Sequence, residues 1–198
     1  MTDFAVTWDY RCPFARNAHD HVIEALRDGA DWDVRFVPFS LGQVHVAEGE
    51  PDIWERPGDD SGLLALQAGV VVRDRWPDRF FDVHLALFAL RHDEGLKFED
   101  TEIRRVLAEQ GIDADTVFDE IATGTPLSRI RDEHTAAAAD FEVWGVPTFV
   151  HGDAAVFVRL MDRPGDDAEH ARRSIQRIVD LLVDAPELNE FKHTSLKR

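Results

Sequence analysis

"FAVTWDYRCPFARNAHDHVIEAL" spans residues 4–26, and the fold turns on how this stretch is read. Its first five residues alternate and are β-rich, which predicts a strand. Cys12, the only cysteine of the chain, follows and is directly succeeded by Pro13. Proline suits a first helical turn, where its missing N–H costs nothing. Phe14, Ala18, Val22 and Leu26 then recur at helical spacing, and Gly29 stands where a C-cap belongs. Residues 33–40, "DVRFVPFS", read as a second strand. Strand–helix–strand implies a parallel pair joined by a right-handed crossover.

Outward from this unit, residues 41–60 are rich in glycine, proline and acids and read as a connecting loop. Helical patterns follow. Residues 61–76 are capped by Ser61. Residues 77–92 open with Pro77 and place Phe80, His84, Leu87 and Arg91 on one stripe. Residues 100–111 start from a capping Asp100, and residues 113–124 run to Gly124. Residues 125–145 take Thr125 as N-cap and Pro126 as N1. The pattern then reverts. "PTFVHG" and "AAVFVRL" read as two strands around a turn at Gly152-Asp153. Residues 166–184 form a last helix with Ile175, Ile178, Val179 and Leu182 inward. In the tail, residues 186–198, Leu188 and Phe191 offer apolar groups to dock. The expected architecture is α/β: a mixed sheet of about four strands, built from a βαβ half and a ββα half, with helices inserted between them. The expected division is one discontinuous domain, 1–45 with 140–198, and an inserted helical domain, 50–138.

The chain has 198 residues, 44% of them hydrophobic, enough for a real core. Thirty-nine acidic side chains against 22 basic ones give a formal net charge of −17. A field of this sign repels phosphate backbones and anionic lipid, so neither nucleic acid nor a membrane surface is an expected partner. One cysteine excludes an intramolecular disulfide. The N-terminus lacks the basic and apolar regions of a signal peptide, and no apolar run approaches the ~20 residues of a bilayer span. These features predict a cytoplasmic protein, where thiols are kept reduced.

Placed at the N-cap of the first helix, the Cys12 sulfur faces the free N–H groups of Phe14 and Ala15 at the positive end of the helix dipole. Pro13 contributes no donor. Arg11 and Arg16 add positive charge, and Asp9 opposes it. A thiol that titrates near ~8.5 when free is lowered in such a position, which predicts a nucleophilic thiolate at neutral pH. A second feature is "WGVPTF", residues 144–149. Its Pro147 stands at a strand's first position or a special turn, because proline cannot donate to a ladder.

These segments together resemble the DsbA family of the thioredoxin superfamily. They also resemble its cytoplasmic relatives: the 2-hydroxychromene-2-carboxylate isomerases, the kappa-class glutathione transferases and FrnE-like proteins. "WDYRCPFA" is similar to the family's Asp-aromatic-x-Cys/Ser-Pro-aromatic segment, "ALRHDEGLKFEDTEIRRVLAEQGIDADTV" to its insertion helices, and "GVPTF" to its cis-proline loop. The resemblance implies the thioredoxin fold and a cis Val146-Pro147 bond beside Cys12. It also implies a loop, Val146 to Thr148, that pairs with an extended peptide or with glutathione. It implies no metal. Two departures stand out. Ala15 occupies the place of the resolving cysteine, so a dithiol cycle cannot close within the chain. The isomerase and transferase branch usually has serine at Cys12, and of its Gly-Gln-Asp-Arg segment only Asp162-Arg163 remains.

The first functional reading is therefore a monothiol oxidoreductase. Cys12 exchanges with disulfides or electrophiles and a small thiol, glutathione or mycothiol, resolves it. The second is a thiol-dependent isomerase or transferase, with the Phe and Leu residues of 80–90 lining an apolar pocket. The third is a redox-inactive binding module on the same scaffold. A homodimer is left open, and no resident cofactor is expected. His19 and His21 lie about 11–13 Å along the helix axis from Cys12, too far for a role at the sulfur. His84, His92, His134 and His170 read as surface or satisfied core residues. His45 has no second ligand at metal-binding spacing, and no constellation in the sequence suggests a metal.

Overall fold

The computed structural model describes residues 2–193. Strand β1 (Thr2–Trp8) leads into helix α1 (Pro13–Arg27) and strand β2 (Trp32–Pro38). A short helix α2 (Leu41–Val44) and two single 3-10 turns occupy the segment expected to be loop. Five helices follow: α3 (Ser61–Arg75), α4 (Pro77–His92), α5 (Asp100–Glu109), α6 (Ala114–Ala122) and α7 (Thr125–Phe141). Strands β3 (Thr148–His151) and β4 (Ala154–Phe157) and helix α8 (Ala168–Asp184) complete the chain. The sheet has the order β2-β1-β3-β4. β1 and β2 run parallel with Val6 opposite Phe36. β3 is antiparallel to both β1 and β4.

The period-2 alternation of β1 sorts its side chains between two covered faces. Phe4, Val6 and Trp8 enter the main core with Val22 and Ile23 of α1, Phe80, Leu87 and Phe88 of α4, and Ile175 and Val179 of α8. Ala5, with Val37 and Val150, forms a smaller cluster on the other face beside Phe141 of α7. Both faces are covered, so residues 4–8 are all buried. One contiguous core runs from the sheet into α3–α7, so the helical block and the strands exclude water together. The tail behaves otherwise. Leu188 and Phe191 are exposed rather than buried against the core, and residues 194–198 lie outside the described residues.

Three caps differ from expectation. Asp60, not Ser61, caps α3 by accepting from the Gly62 N–H at 2.8 Å. Glu99 stands at the N-cap of α5, so Asp100 begins the helix proper. Gly124, with φ of 76°, holds the N-cap of α7 ahead of Thr125. In each case the residue one position earlier takes the non-helical entry geometry, and at α3 its carboxylate also satisfies a free N–H.

Behind Cys12 the core contains a hydrogen-bonded chain of polar side chains. The Tyr10 hydroxyl lies 2.8 Å from His84 Nδ1, His84 Nε2 lies 2.9 Å from His19 Nδ1, and His19 Nε2 lies 3.1 Å from the Thr7 carbonyl. A carbonyl only accepts, so His19 carries its proton on Nε2. The same logic puts the proton of His84 on Nε2 and makes Tyr10 the donor at the far end. Both imidazoles are neutral and fully buried. Burial holds His19 down at about 4, holds His84 well below its ordinary value, and lifts the Tyr10 phenol. His134, stacked 4.0 Å from Phe39, is also held down at about 4 by burial.

Gly69 on α3 lets the helix approach this chain: a Cβ there would stand 2.3 Å from the Tyr10 hydroxyl oxygen. Gly69→Ala is expected to cost about 1–3 kcal/mol of stability, measured by urea unfolding. The histidines give stability a pH dependence of known sign. Above their unfolded value of ~6.5 both states are neutral and nothing is lost. Below it the unfolded chain binds protons that the folded chain excludes. Stability is therefore expected to fall from pH 6.5 toward pH 4, by up to about 1.4 kcal/mol per pH unit for each histidine. His134→Phe should remove one histidine's share of that slope.

Candidate active site

The loop between β1 and α1 is pinned before the thiol is reached. Asp9 is fully buried and accepts from the Arg11 N–H at 2.9 Å, from Arg11 Nη2 at 2.6 Å and from the Leu41 N–H at 2.8 Å. Arg11 also bonds both oxygens of Asp60 at 2.8 Å, joining the loop to the start of α3. The charge that the sequence assigns to Cys12 is therefore held by two carboxylates. Arg16 is likewise committed, to Asp93 just beyond α4. Neither arginine acts as the thiolate-stabilising cation expected of it. His92 donates from Nε2 to the Tyr10 carbonyl at 2.9 Å and closes the loop from the α4 side.

Cys12 does occupy the N-cap of α1, with Pro13 in the first turn. Its sulfur accepts from the Ala15 N–H at 3.4 Å, and its S–H points to the Val146 carbonyl at 3.3 Å. The Val146-Pro147 bond is cis, and the loop it shapes lies against the sulfur. Two segments 134 residues apart thus meet at one atom. Thr148 supports the loop from inside: its N–H donates to Thr7 Oγ1 and its hydroxyl to the Gly145 carbonyl, both at 2.8 Å. The β4 end is tied to the same loop by the Val158 N–H on the Pro147 carbonyl at 3.2 Å.

The electrostatic balance corrects one expectation. Burial pushes the Cys12 thiol above its ordinary value. The Ala15 and Phe14 N–H groups pull it down, and the Asp9 carboxylate pushes it up again. Burial wins because the helix end offers only partial charges, and both neighbouring arginines face carboxylates of their own. The resting form is a thiol donating to Val146, not the thiolate expected from the helix position.

The surface beside the sulfur holds residues the sequence did not single out. Trp144 is 63% exposed and stacks on Phe157, with ring centroids 4.5 Å apart. The exposed Arg159 guanidinium lies 5.5 Å from the Phe14 ring centroid and 6.0 Å from that of Phe157. Among the described residues Arg159 has no ion-pair partner. The signal for Arg159 is clear only in retrospect: it sits two residues past a strand that pairs with the cis-proline loop. Phe80, Leu87 and Phe88 are packed core, so they do not line the apolar pocket considered for residues 80–90. A cavity of about 310 Å³ lies elsewhere, between Ala5, Thr7, Val37 and α7 on the opposite sheet face.

Alkylation of Cys12 by iodoacetamide, followed against pH, is expected to titrate above the ~8.5 of a free thiol. A midpoint below that value would contradict the burial argument.

Comparisons with known proteins agree with this architecture. Residues 78–165 match the model of the DSBA-like thioredoxin domain family, a stretch that includes the cis-proline loop and leaves out Cys12. No curated protein matches the chain by sequence. Among solved structures, the thiol-disulfide exchange protein alpha-DsbA2 from Wolbachia pipientis is 20% identical. It superposes with a TM-score of 0.62 over 90% of this chain and 82% of that one. The cytosolic disulfide reductase DsbM from Pseudomonas aeruginosa, solved with GSH, is 17% identical, with a TM-score of 0.60 over 90% of this chain and 100% of that one. A thioredoxin-like oxidoreductase from Silicibacter pomeroyi DSS-3 is 19% identical, with a TM-score of 0.58 over 90% and 86%. Together with the sheet order and the site geometry, these likenesses establish a thioredoxin-like DSBA fold of the α/β class.

Proposed function

We propose that the protein is a thiol–disulfide oxidoreductase that works with one thiol, Cys12, and acts in the reducing direction. The observation that carries the reading is the meeting of the Cys12 sulfur, the α1 N–H groups and the Val146 carbonyl at one point. In the first step the Cys12 thiolate attacks one sulfur of a substrate disulfide. A Cys12–substrate disulfide forms, and the other half leaves as a thiolate. In the second step an external thiolate attacks the substrate sulfur of that mixed disulfide. Cys12 leaves as a thiolate and regains its proton, and the substrate departs as a mixed disulfide with the external thiol. Ala15 supplies no internal competitor for this second attack.

The direction follows from the acidity of the thiol. A strongly oxidising site stabilises its reduced thiolate, which makes that sulfur a good leaving group. Burial does the reverse at Cys12, so its mixed disulfide persists until a second thiol arrives. Glutathione is the first candidate for that thiol, supported by the DsbM neighbour, whose structure was solved with GSH; mycothiol is the other. Arg159 offers a free cation to a carboxylate of such a cosubstrate, next to the Phe14 and Phe157 rings. The cytoplasm is the proposed compartment. It suits a single reduced thiol, and no helix of the described residues is long and apolar enough to cross a membrane.

Intact mass after incubation with oxidised glutathione tests the reading. A single glutathione adduct is expected on the wild type and none on Cys12→Ala. Arg159→Ala should slow release of the adduct by glutathione more than release by uncharged 2-mercaptoethanol. Absence of any adduct on the wild type would leave the binding-module reading in place instead.

A further inference from the structure

A second cluster of chemistry-bearing side chains lies outside the thiol site. His21 on α1, Asp162 in the segment between β4 and α8, and His170 on α8 bring their ligand atoms within 4.8 Å of one another. Among the described residues no other group of three such donors converges. We propose that these three residues bind a borderline divalent cation, with Zn²⁺ as the first choice.

The state of His21 is the observation that points to a ligand. Its ring is fully buried, and Nδ1 lies 2.8 Å from the Asn17 carbonyl. A carbonyl only accepts, so Nδ1 carries the proton and Nε2 carries the lone pair. That Nε2 is buried and has no hydrogen-bond partner. An unsatisfied buried polar atom is unusual enough to require a reason. An imidazole oriented by a backbone carbonyl on one nitrogen, with the other left bare, is the arrangement that metal-binding histidines adopt.

The other two donors complete the set. The His21 and His170 ring centroids are 5.4 Å apart at 64°, so the two rings converge edge to face. His170 is half-buried and Asp162 exposed, which gives an ion an entry path and leaves a fourth position to water. Two imidazoles and a carboxylate suit Zn²⁺ in tetrahedral geometry, whose donors stand about 3.4 Å apart. The surrounding charges permit it. Arg163, next to Asp162 in the chain, is drawn to Asp20, and Asp167 is engaged in capping α8 through the His170 N–H. Asn17 also holds the same segment through the Leu160 carbonyl at 2.8 Å.

An ion here would clamp α1, α8 and the segment after β4 at one point. His21 stands nine residues beyond Cys12, about 13 Å along the helix axis, so the ion is separate from the thiol chemistry. Zn²⁺ titration of chelator-treated Cys12→Ser, by calorimetry, tests the proposal without the thiol as a competing ligand. One equivalent is expected to bind, and Zn²⁺ should raise the melting temperature. His170→Ala and Asp162→Asn, each introduced into that background, should weaken binding at least about 10-fold, the loss seen when even a supporting group of a metal site is removed. Circular dichroism checks that each variant is folded. Absence of stoichiometric uptake, or uptake that neither substitution weakens, would overturn the proposal.

Discussion

The buried chain from Tyr10 through His84 and His19 to the Thr7 carbonyl organises everything around it. Two imidazoles and a phenol cannot enter an apolar core unless each finds a partner. Here they satisfy one another in a single direction, and doing so ties β1, α1 and α4 together directly behind the thiol. Trp8, Phe36, Phe80 and Phe88 close around the histidine rings and exclude water. Gly69 admits α3 to the same point. The helices between β2 and β3 are thus not an appendage: α3 and α4 pack directly against Tyr10 of the active-site loop.

That packing also sets the character of Cys12. A helix N-terminus favours a thiolate, but it must act through whatever dielectric surrounds the sulfur. The cis-proline loop covers the sulfur on one side and offers a carbonyl, which prefers a protonated partner. Asp9, required by Arg11 and by the Leu41 N–H for structural reasons, adds an opposing charge. The site therefore joins a helix N-terminus and a cis-proline loop at one sulfur, and burial keeps that sulfur protonated.

Much of the fold was legible in the sequence. The alternation in residues 4–8, the Cys-Pro junction, Gly29 and the hairpin turn at Gly152-Asp153 are local signals, and local signals survive folding. The helix caps were legible to within one residue, because neighbouring Ser, Thr, Asp and Gly compete for the same role. The pairing of Cys12 with the Val146–Thr148 loop was reachable only through resemblance to known proteins, since no spacing rule connects two segments so far apart. The His19–His84–Tyr10 chain and the His21–Asp162–His170 cluster carried no sequence signal at all. Each joins residues from distant segments, and each histidine alone reads as an ordinary surface or core residue.

Residue type and near neighbours were enough to set the strands and the longer helices, their order, the single thiol and the lack of an internal resolving partner. Each of these depends on positions only a few residues apart. Folding in three dimensions settled the rest: which charges Arg11 and Arg16 meet, how deeply Cys12 is buried, and which histidines converge. Those outcomes depend on desolvation and on distances between remote segments, and neither quantity exists until the chain has folded.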